Sequence, residues 1–256
     1  MKYARGIIDT SNPTTFDPEL LVVLRENHTL ICDYLIRNRE IFETYDNYYG
    51  SGRPISRPDN PHWSPFQAFQ ENLVPLMETK VIKGFHYTRM TDAEVESMFA
   101  DGVRLSTPAF LETRLRSLVS AGFLTIDEVK KILVESPFKT QLDSRQNMFW
   151  MVSSRLPIDH GGVEPLLATW GGEVASMHLT DHALLAKLQS IGRPRVIEVA
   201  VPLSATNKAY SAACAVVAAY ALQHGWPSEK GVFDFFAMKE LPADAILHVF
   251  TQGEAG

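Results

Sequence analysis

The chain has 256 residues, of which 45% are hydrophobic and 21% are charged, and its formal net charge is −6 at pH 7. This composition is typical of a globular protein and excludes a collagen, a coiled coil and a mostly disordered chain. The acidic balance argues against nucleic acid as a partner, because nucleic-acid-binding proteins usually carry a basic excess or patch.

The cysteine content and the apolar pattern of the sequence predict the cellular compartment of the protein. The only two cysteines, Cys32 and Cys214, lie among apolar residues of helical pattern, which indicates buried thiols in a reducing compartment. The longest apolar stretch, 212–222, is about half of the roughly 18 residues that would span a bilayer. The start of the chain lacks the layout of a signal peptide, so we expect a cytoplasmic protein with no membrane partner.

The N-terminal third is predicted to be helical. Asp17-Pro18 is a helix start, with an acceptor side chain followed by proline at the first helical position, and apolar residues recur at helical spacing to about Phe42. Four closely spaced prolines then predict an extended loop over 44–65. A short helix is predicted over 66–77.

From Thr79 onward the pattern changes to strands interrupted by helices. We take residues 79–256 as one domain, preceded by a helical N-terminal extension, residues 1–78. Strands are predicted at 81–88, 148–153, 174–179, 195–203, 232–238 and 246–250, and helices at 92–101, 108–120, 125–135, 163–169, 181–191 and 210–224. The fold class is α+β, because the regular alternation of a doubly wound sheet and its glycine-rich phosphate loop are both missing.

Residues 84–95 place polar side chains on and after a short strand. His86 can donate or accept a hydrogen bond with a ribose hydroxyl, and Arg89 can pair with a phosphate. Tyr87 and Thr88 lie between them. The alternative is that these are ordinary strand residues whose polar ends are satisfied within the protein.

Residues 149–154 combine aromatic rings with hydroxyl groups at a strand end. Phe149 and Trp150 offer faces on which a planar base or a nicotinamide ring can stack. Ser153 and Ser154 follow as hydroxyl donors. The alternative is a core strand that ends in a serine-rich turn.

Two carboxylates stand out by their neighbours. Glu173 follows Trp170-Gly171-Gly172, where paired glycines allow a tight turn or a close approach of the backbone to a ligand. Asp234 lies inside an otherwise apolar strand, so it must be paired, hydrogen-bonded or part of a site. The alternatives are a glycine turn beside a solvent-facing Glu173, and a surface strand that exposes Asp234.

Other catalytic classes are disfavoured. His178 and His182 are four apart but belong to a predicted strand and a predicted helix, so they do not share a face and we expect no metal site. A Gly-x-Ser-x-Gly motif is missing from the sequence. Cys214 lies in an alanine-rich helix without an adjacent base, which argues against a thiol enzyme.

The order of these segments resembles the ADP-ribosyltransferase superfamily. Its first strand carries His or Arg, then Thr, and leads to a helix that ends in glycine, as Gly84-Phe-His-Tyr-Thr-Arg and the following residues to Gly102 do. A later strand with aromatic and hydroxyl residues matches 149–154, and a late acidic strand with a proline turn matches the region after Asp234. The chain looks most like bacterial effector-type mono-ADP-ribosyltransferases with a Trp-Gly-Gly-Glu element, over about residues 80–250.

The resemblance implies a split pair of small twisted sheets around an NAD cleft, with residues 108–140 as a helical insertion. The NAD-binding residues would be His86, Tyr87, Thr88, Arg89, Phe149, Trp150, Ser153, Ser154, Trp170 and Gly172. His86 and Thr88 would hold the ribose on the adenosine side, and Arg89 or Arg145 would meet the pyrophosphate. Phe149, Trp150 or Trp170 would stack on nicotinamide, and Ser153 would fix the ribose.

The resemblance leaves two candidates for the catalytic carboxylate, Glu173 and Asp234. The superfamily's late strand usually carries Glu, and this chain has Asp234 there. Glu173 has the expected residue type, so we favour it. Because Val232 replaces the second acidic or Gln/Glu residue of many arginine-modifying members, the strand does not support arginine as the modified residue.

The activity implied is transfer of ADP-ribose from NAD to a protein acceptor, with release of nicotinamide, either in the producing cell's cytoplasm or inside a target cell reached by an effector. The helices within 108–140 and the loop at 45–65 would recognise the acceptor. Two alternatives stay open. One is an NAD glycohydrolase on the same fold, and the other is a non-catalytic or unrelated α+β binding protein.

Overall fold

The computed structural model describes the chain at residues 6–50, 52 and 55–253. These residues pack into two compact units. One, which we call the sheet unit, contains residues 83–201 and 234–253. The other, the helical unit, contains the described residues within 6–82 and 202–233.

The helices and strands account for most of the described chain. The helices are α1 (Pro18–Glu26), α2 (His28–Ile41), α3 (Trp63–Glu78), α4 (Asp92–Asp101), α5 (Pro108–Ser120), α6 (Ile126–Glu135), α7 (Leu142–Arg145), α8 (Glu164–Ala168), α9 (Glu173–Ser176), α10 (His182–Ser190) and α11 (Ala209–Gln223). The strands are β1 (Ile7–Ile8), β2 (Val81–Met90), β3 (Phe149–Val152), β4 (Arg193–Pro202), β5 (Asp234–Ala237) and β6 (Ile246–Thr251). Among the described residues, no helix has the length and apolar character that a membrane crossing requires.

Helix α11 forms the centre of the helical unit. Its alanine-rich sequence is buried along most of its length, and its small side chains let it lie against α3. The chain returns to α11 at Gly231, where an added Cβ would lie 2.6 Å from the Cα of Ala215. By packing, residues 202–233 therefore join the N-terminal helices, although the sequence had placed them in the domain at 79–256. The predicted division of the chain into an extension, residues 1–78, and a domain, residues 79–256, stays a prediction.

Side-chain capping and the position of proline explain where the N-terminal helices begin. The Asp17 carboxylate accepts a hydrogen bond from the Leu20 N–H at 2.9 Å, so the predicted start of α1 is confirmed. Helix α3 begins at Trp63, which is earlier than predicted, and it includes Pro65. A proline is tolerated there because N–H groups of the first turn have no partner inside the helix.

The sheet unit is built on an open sheet with strand order β5-β3-β2-β4-β6. In the helical unit, β1 pairs in parallel with Val81 and Ile82, the first two residues of β2. Strands β3 and β5 pair antiparallel to one another, as do β2 and β3, and β4 and β6. Mixed helices and an antiparallel sheet agree with the predicted α+β class. The strands form one continuous sheet rather than two, because β2 is hydrogen-bonded to β3 on one side and to β4 on the other.

An apolar core lies between helices α5, α6 and α10 and the segment that contains Trp170. Trp170, Leu115, Ile132 and Leu188 have no exposed surface. Helices α4 and α6 both begin with the predicted capping boxes, at Thr91 and at position 125. The predicted helical hairpin over 108–135 is confirmed by α5 and α6.

The strand predicted at 174–179 is wrong, since the chain forms the short helix α9 there. Gly171 and Gly172 both have positive φ, at 74° and 59°, which turns the chain before it can extend. The segment pairs with the sheet just before the two glycines, at Trp170, which forms a parallel bridge with Arg89.

Substitution of Gly102 tests the close backbone approach that fixes the end of α4. Gly102 has φ +89°, and an added Cβ would lie 2.2 Å from the carbonyl oxygen of Leu241. Gly122 is a matched control, because it has φ +77° but no atom within 4 Å of its added Cβ. We expect Gly122→Ala to lower the free energy of unfolding by about 1–2 kcal/mol and Gly102→Ala by roughly twice that or more, measured by urea denaturation. Equal losses would contradict the close approach.

Candidate active site

The predicted site residues all lie in the sheet unit, and His86 is on its central strand. Antiparallel pairing sets Phe85 opposite Val152, and Val152 opposite Asp234. Side chains alternate between the two faces of a sheet, so Phe85, Val152 and Asp234 share one face. His86 points to the other face.

The His86 ring is held by β3. Its centroid lies 4.3 Å from that of Phe149, and its Nδ1 lies 2.8 Å from the carbonyl oxygen of Trp150. Burial lowers the pKa of His86 from 6.5 to about 4, although the bond to Trp150 opposes this, and the positive charge of Arg114 adds to the lowering. The ring is therefore neutral at pH 7, and because a carbonyl only accepts, Nδ1 carries the proton. Nε2 is left as an acceptor for a hydroxyl group.

The three residues after His86 have mostly structural partners. The Tyr87 hydroxyl donates to the Leu156 carbonyl at 2.9 Å and accepts from the Leu156 N–H at 2.6 Å. Thr88 is buried. Arg89 Nε donates to the Ile191 carbonyl at 2.9 Å, and burial lowers the pKa of Arg89. Tyr87 and Arg89 therefore help to hold neighbouring loops on the sheet.

Trp150 and Asp234 lie on the opposite face of the sheet from His86. Trp150 is 44% exposed, and its ring centroid lies 4.7 Å from that of Phe236, which faces it from β5. Asp234 is exposed at the start of β5, which is an edge strand. Phe149, by contrast, is buried against His86. The two predicted stacking residues of β3 thus face opposite sides, as pleating requires.

Ser153 and Ser154 come directly after β3, and the side-chain oxygen of each is buried. Ser153 has no exposed surface. The Ser154 Oγ atom is buried and has no hydrogen-bond partner among the described residues. A buried polar atom without a partner is uncommon in a folded protein and calls for an explanation such as a bound ligand or water.

Trp170 is fully buried and is part of a polar cluster that the sequence did not predict. Its Nε1–H donates to Glu94 Oε2 at 2.9 Å, and the Arg114 guanidinium lies 4.7 Å from its ring centroid. Arg114 Nε also donates to Glu94 Oε1 at 2.8 Å. With no exposed face, Trp170 cannot stack on a ligand in this structure, and it serves instead to hold Glu94 and Arg114 in place.

The Glu94 carboxylate is fully satisfied. Its second oxygen also accepts from the Thr91 N–H at 2.8 Å. Burial acts to raise the pKa of Glu94, but the positive charge of Arg114 and the hydrogen bonds from Thr91 and Trp170 outweigh it, so the pKa is lowered. The capping box at Thr91 was visible in the sequence. Nothing in the sequence linked it to an arginine twenty residues later.

Glu173 begins helix α9, directly after Gly172. Its side chain is 45% exposed and forms an ion pair with Arg145. Arg145 is fixed by two further contacts, from Nε to Gln141 Oε1 at 2.9 Å and from Nη2 to Met177 Sδ at 3.4 Å. The carboxylate is thus accessible and held at one orientation.

The structure brings some of the predicted site residues into contact and places others on opposite faces of the sheet. His86 and Phe149 are in direct contact. The segment before Glu173 is attached to the strand of His86, because the Gly171 N–H donates to the Arg89 carbonyl at 3.3 Å. Asp234 is on the other face of the sheet.

A cavity of about 640 Å³ lies in the helical unit, and no predicted site residue lines it; its lining includes Arg25, His28, Tyr220 and His224. In the described part of the chain, no three His, Cys, Asp or Glu side chains are grouped so that they could hold a metal ion.

Comparison of the chain with protein-family models, with curated proteins and with solved structures finds no match.

The low pKa of His86 predicts a pH dependence of stability. The unfolded histidine takes up a proton as the pH falls below 6.5, but the folded one does so only near 4. Stability is therefore fully present above pH 6.5, and about 3 kcal/mol is lost as the pH falls to 4. We expect His86→Gln to remove this part of the loss, measured by urea denaturation at pH 7 and pH 4.5. The exposed His178→Gln is the control, and a wild-type pH profile in His86→Gln would refute the prediction.

Trp170→Phe tests the polar cluster. The variant keeps most of the buried ring but leaves the Glu94 carboxylate without one of its donors, so we expect the free energy of unfolding to fall by about 2–3 kcal/mol. Trp150→Phe, at a 44% exposed site, should cost much less. Chemical denaturation of both variants makes the comparison, and equal losses would count against the Glu94 bond.

Proposed function

We propose that the protein is a mono-ADP-ribosyltransferase, which moves ADP-ribose from NAD to a protein acceptor and releases nicotinamide. The observation that carries the proposal is the state of His86. A neutral imidazole, with Nδ1 bonded to the Trp150 carbonyl, offers Nε2 as an acceptor for a sugar hydroxyl. The buried Ser154 Oγ, which has no partner among the described residues, adds a second unused polar group to the end of β3.

Glu173 is the better candidate for the catalytic carboxylate. Breaking the bond between nicotinamide and ribose gives an oxocarbenium-like transition state, which a nearby carboxylate stabilises by its negative charge. The Glu173 side chain is accessible, and its loop is bonded to the same strand as His86. Asp234 shares a face with Val152 on the other side of the sheet from His86.

Arg145 has a clear role in this scheme. Its ion pair with Glu173 holds the carboxylate in one orientation before substrate binds. Preorganisation of this kind lowers the cost of reaching the transition state. We propose Arg145 as a positioning residue rather than as the group that meets the pyrophosphate.

The acceptor is proposed to dock on the helical hairpin of α5 and α6. Three large apolar side chains of this hairpin are exposed, Phe123 at 43%, Ile126 at 64% and Val134 at 70%. Exposed apolar residues on one element favour a protein partner over water as acceptor.

Two matched carboxylate variants test the reaction. We expect Glu173→Gln to lower transfer from labelled NAD by at least about 100-fold while leaving NAD affinity nearly unchanged, because the amide keeps the shape but loses the charge. Asp234→Asn is the control and should keep wild-type transfer. A cell lysate supplies the acceptor, and one labelled band is the expected result.

Three outcomes would contradict the proposal. Wild-type transfer by Glu173→Gln would remove Glu173 from the mechanism. Release of nicotinamide at full rate without any acceptor would favour NAD hydrolysis instead. No thermal shift with millimolar NAD would favour a non-catalytic binding protein.

A further inference from the structure

The cavity in the helical unit has the size and the lining of a binding site. It has a volume of about 640 Å³ and lies between α1, the start of α2 and the end of α11. A volume of this size accommodates a small metabolite. Most of the lining residues are polar, namely Arg25, His28, Thr29, Tyr220, Gln223 and His224. The cavity is therefore suited to a polar ligand rather than to a hydrocarbon.

Arg25 determines the charge of the ligand. Among the described residues that line the cavity, it carries the one permanent charge, and neither Asp nor Glu is present. Its exposed guanidinium makes no hydrogen bond or ion pair with another described residue. Its donors are therefore available to a ligand, and planar guanidinium donors match the oxygen atoms of a phosphate or a carboxylate.

Packed aromatic rings form one wall of the cavity. The ring centroids of His28 and His224 lie 5.1 Å apart, and they lie 4.6 Å and 5.0 Å from the centroid of Trp226. The ring of Tyr220, which is buried, has its centroid 4.4 Å from that of His224. Rings packed in this way have few alternative rotamers, so the two histidines are placed before a ligand arrives.

Hydrogen bonds to Tyr220 assign the free nitrogen of each histidine. His224 Nδ1 lies 2.8 Å from the Tyr220 carbonyl oxygen, which only accepts, so Nδ1 carries the proton and Nε2 of the neutral ring is an acceptor. His28 Nδ1 lies 3.1 Å from the Tyr220 hydroxyl. Burial raises the pKa of Tyr220, although the positive charge of Arg25 opposes this, so the hydroxyl keeps its proton at neutral pH. Since it has no other acceptor among the described residues, it donates to His28 Nδ1 and leaves the Nε2–H of His28 as a donor.

We propose that this cavity binds a small hydroxylated anion, with its phosphate or carboxylate group on Arg25 and His28 and a hydroxyl group on His224. The guanidinium and the Nε2–H of His28 donate to the oxyanion, and Nε2 of His224 accepts from the hydroxyl. A sugar phosphate and a sugar acid share this chemistry. The inference does not rest on the proposed reaction, because no residue placed in that reaction lines the cavity.

Four probes separate the two parts of the ligand. Glucose 6-phosphate and gluconate carry an oxyanion and hydroxyl groups, inorganic phosphate carries the oxyanion alone, and glucose carries the hydroxyl groups alone. Isothermal titration calorimetry at about pH 8, above the ordinary titration range of imidazole, measures the affinity for each probe. We expect glucose 6-phosphate or gluconate to bind at least about tenfold more tightly than inorganic phosphate or glucose, because only these two satisfy both groups of contacts. The tighter of the two identifies the oxyanion.

Variants of the lining residues locate the binding. We expect Arg25→Gln to weaken the preferred anion by about 10- to 50-fold, because the charged donor is lost. Arg37→Gln is the matched control, since Arg37 is in the same unit, pairs with Glu40 at the surface and does not line the cavity. His224→Phe keeps a ring beside Trp226 but removes the acceptor, so it should weaken the preferred anion by about fivefold or more and leave inorganic phosphate unchanged.

Arg25 and His224 are exposed, so their variants are expected to fold like the wild-type protein, which circular dichroism and thermal denaturation check. Three results would overturn the site: no binding of glucose 6-phosphate or gluconate at millimolar concentration, wild-type affinity in Arg25→Gln, or an equal loss in Arg37→Gln. Wild-type affinity for the preferred anion in His224→Phe would overturn the contact with the hydroxyl group.

Discussion

The buried carboxylate of Glu94 imposes the strongest constraint on the sheet unit. An ionised carboxylate in the interior needs donors on both oxygens, and Glu94 obtains them from Thr91, Arg114 and Trp170. These donors come from the start of α4, from the middle of α5 and from the loop that pairs with the end of β2. One charge thus fixes three segments of the chain, and two of them, at Thr91 and Trp170, adjoin the end of β2.

The same arrangement determines the chemistry that the unit can offer. Burial and the nearby guanidinium keep His86 neutral, so the ring acts as a hydrogen-bond acceptor rather than as a cation. The Arg114–Glu94 pair carries no net charge, yet its guanidinium leaves one buried nitrogen unused. Glu173 stays accessible at the edge of the region, held by Arg145. The unit thus combines a neutral hydrogen-bond acceptor, a fixed cation and an exposed carboxylate.

Strand pleating explains which predicted residues act together. Residues Phe149 and Trp150 are adjacent in the sequence and look like one aromatic platform, but they point to opposite faces of the sheet. Phe149 packs on His86, whereas Trp150 lies with Phe236 on the side of Asp234. The face of the sheet that carries His86 is therefore not the face that carries Asp234.

The sequence by itself determined the α+β class, both capping boxes, the helical hairpin and most strands, because these depend on local periodicity and on hydrogen bonds between near neighbours. It failed at residues 174–179, where two glycines of positive φ start a helix instead of a strand. Only the tertiary structure decided that α11 packs with the N-terminal helices, that Trp170 is buried and that Arg114 meets Glu94. These contacts join residues far apart in the chain, and their partners are selected by packing and by the need to satisfy buried charge, which leave no periodic signal in the sequence.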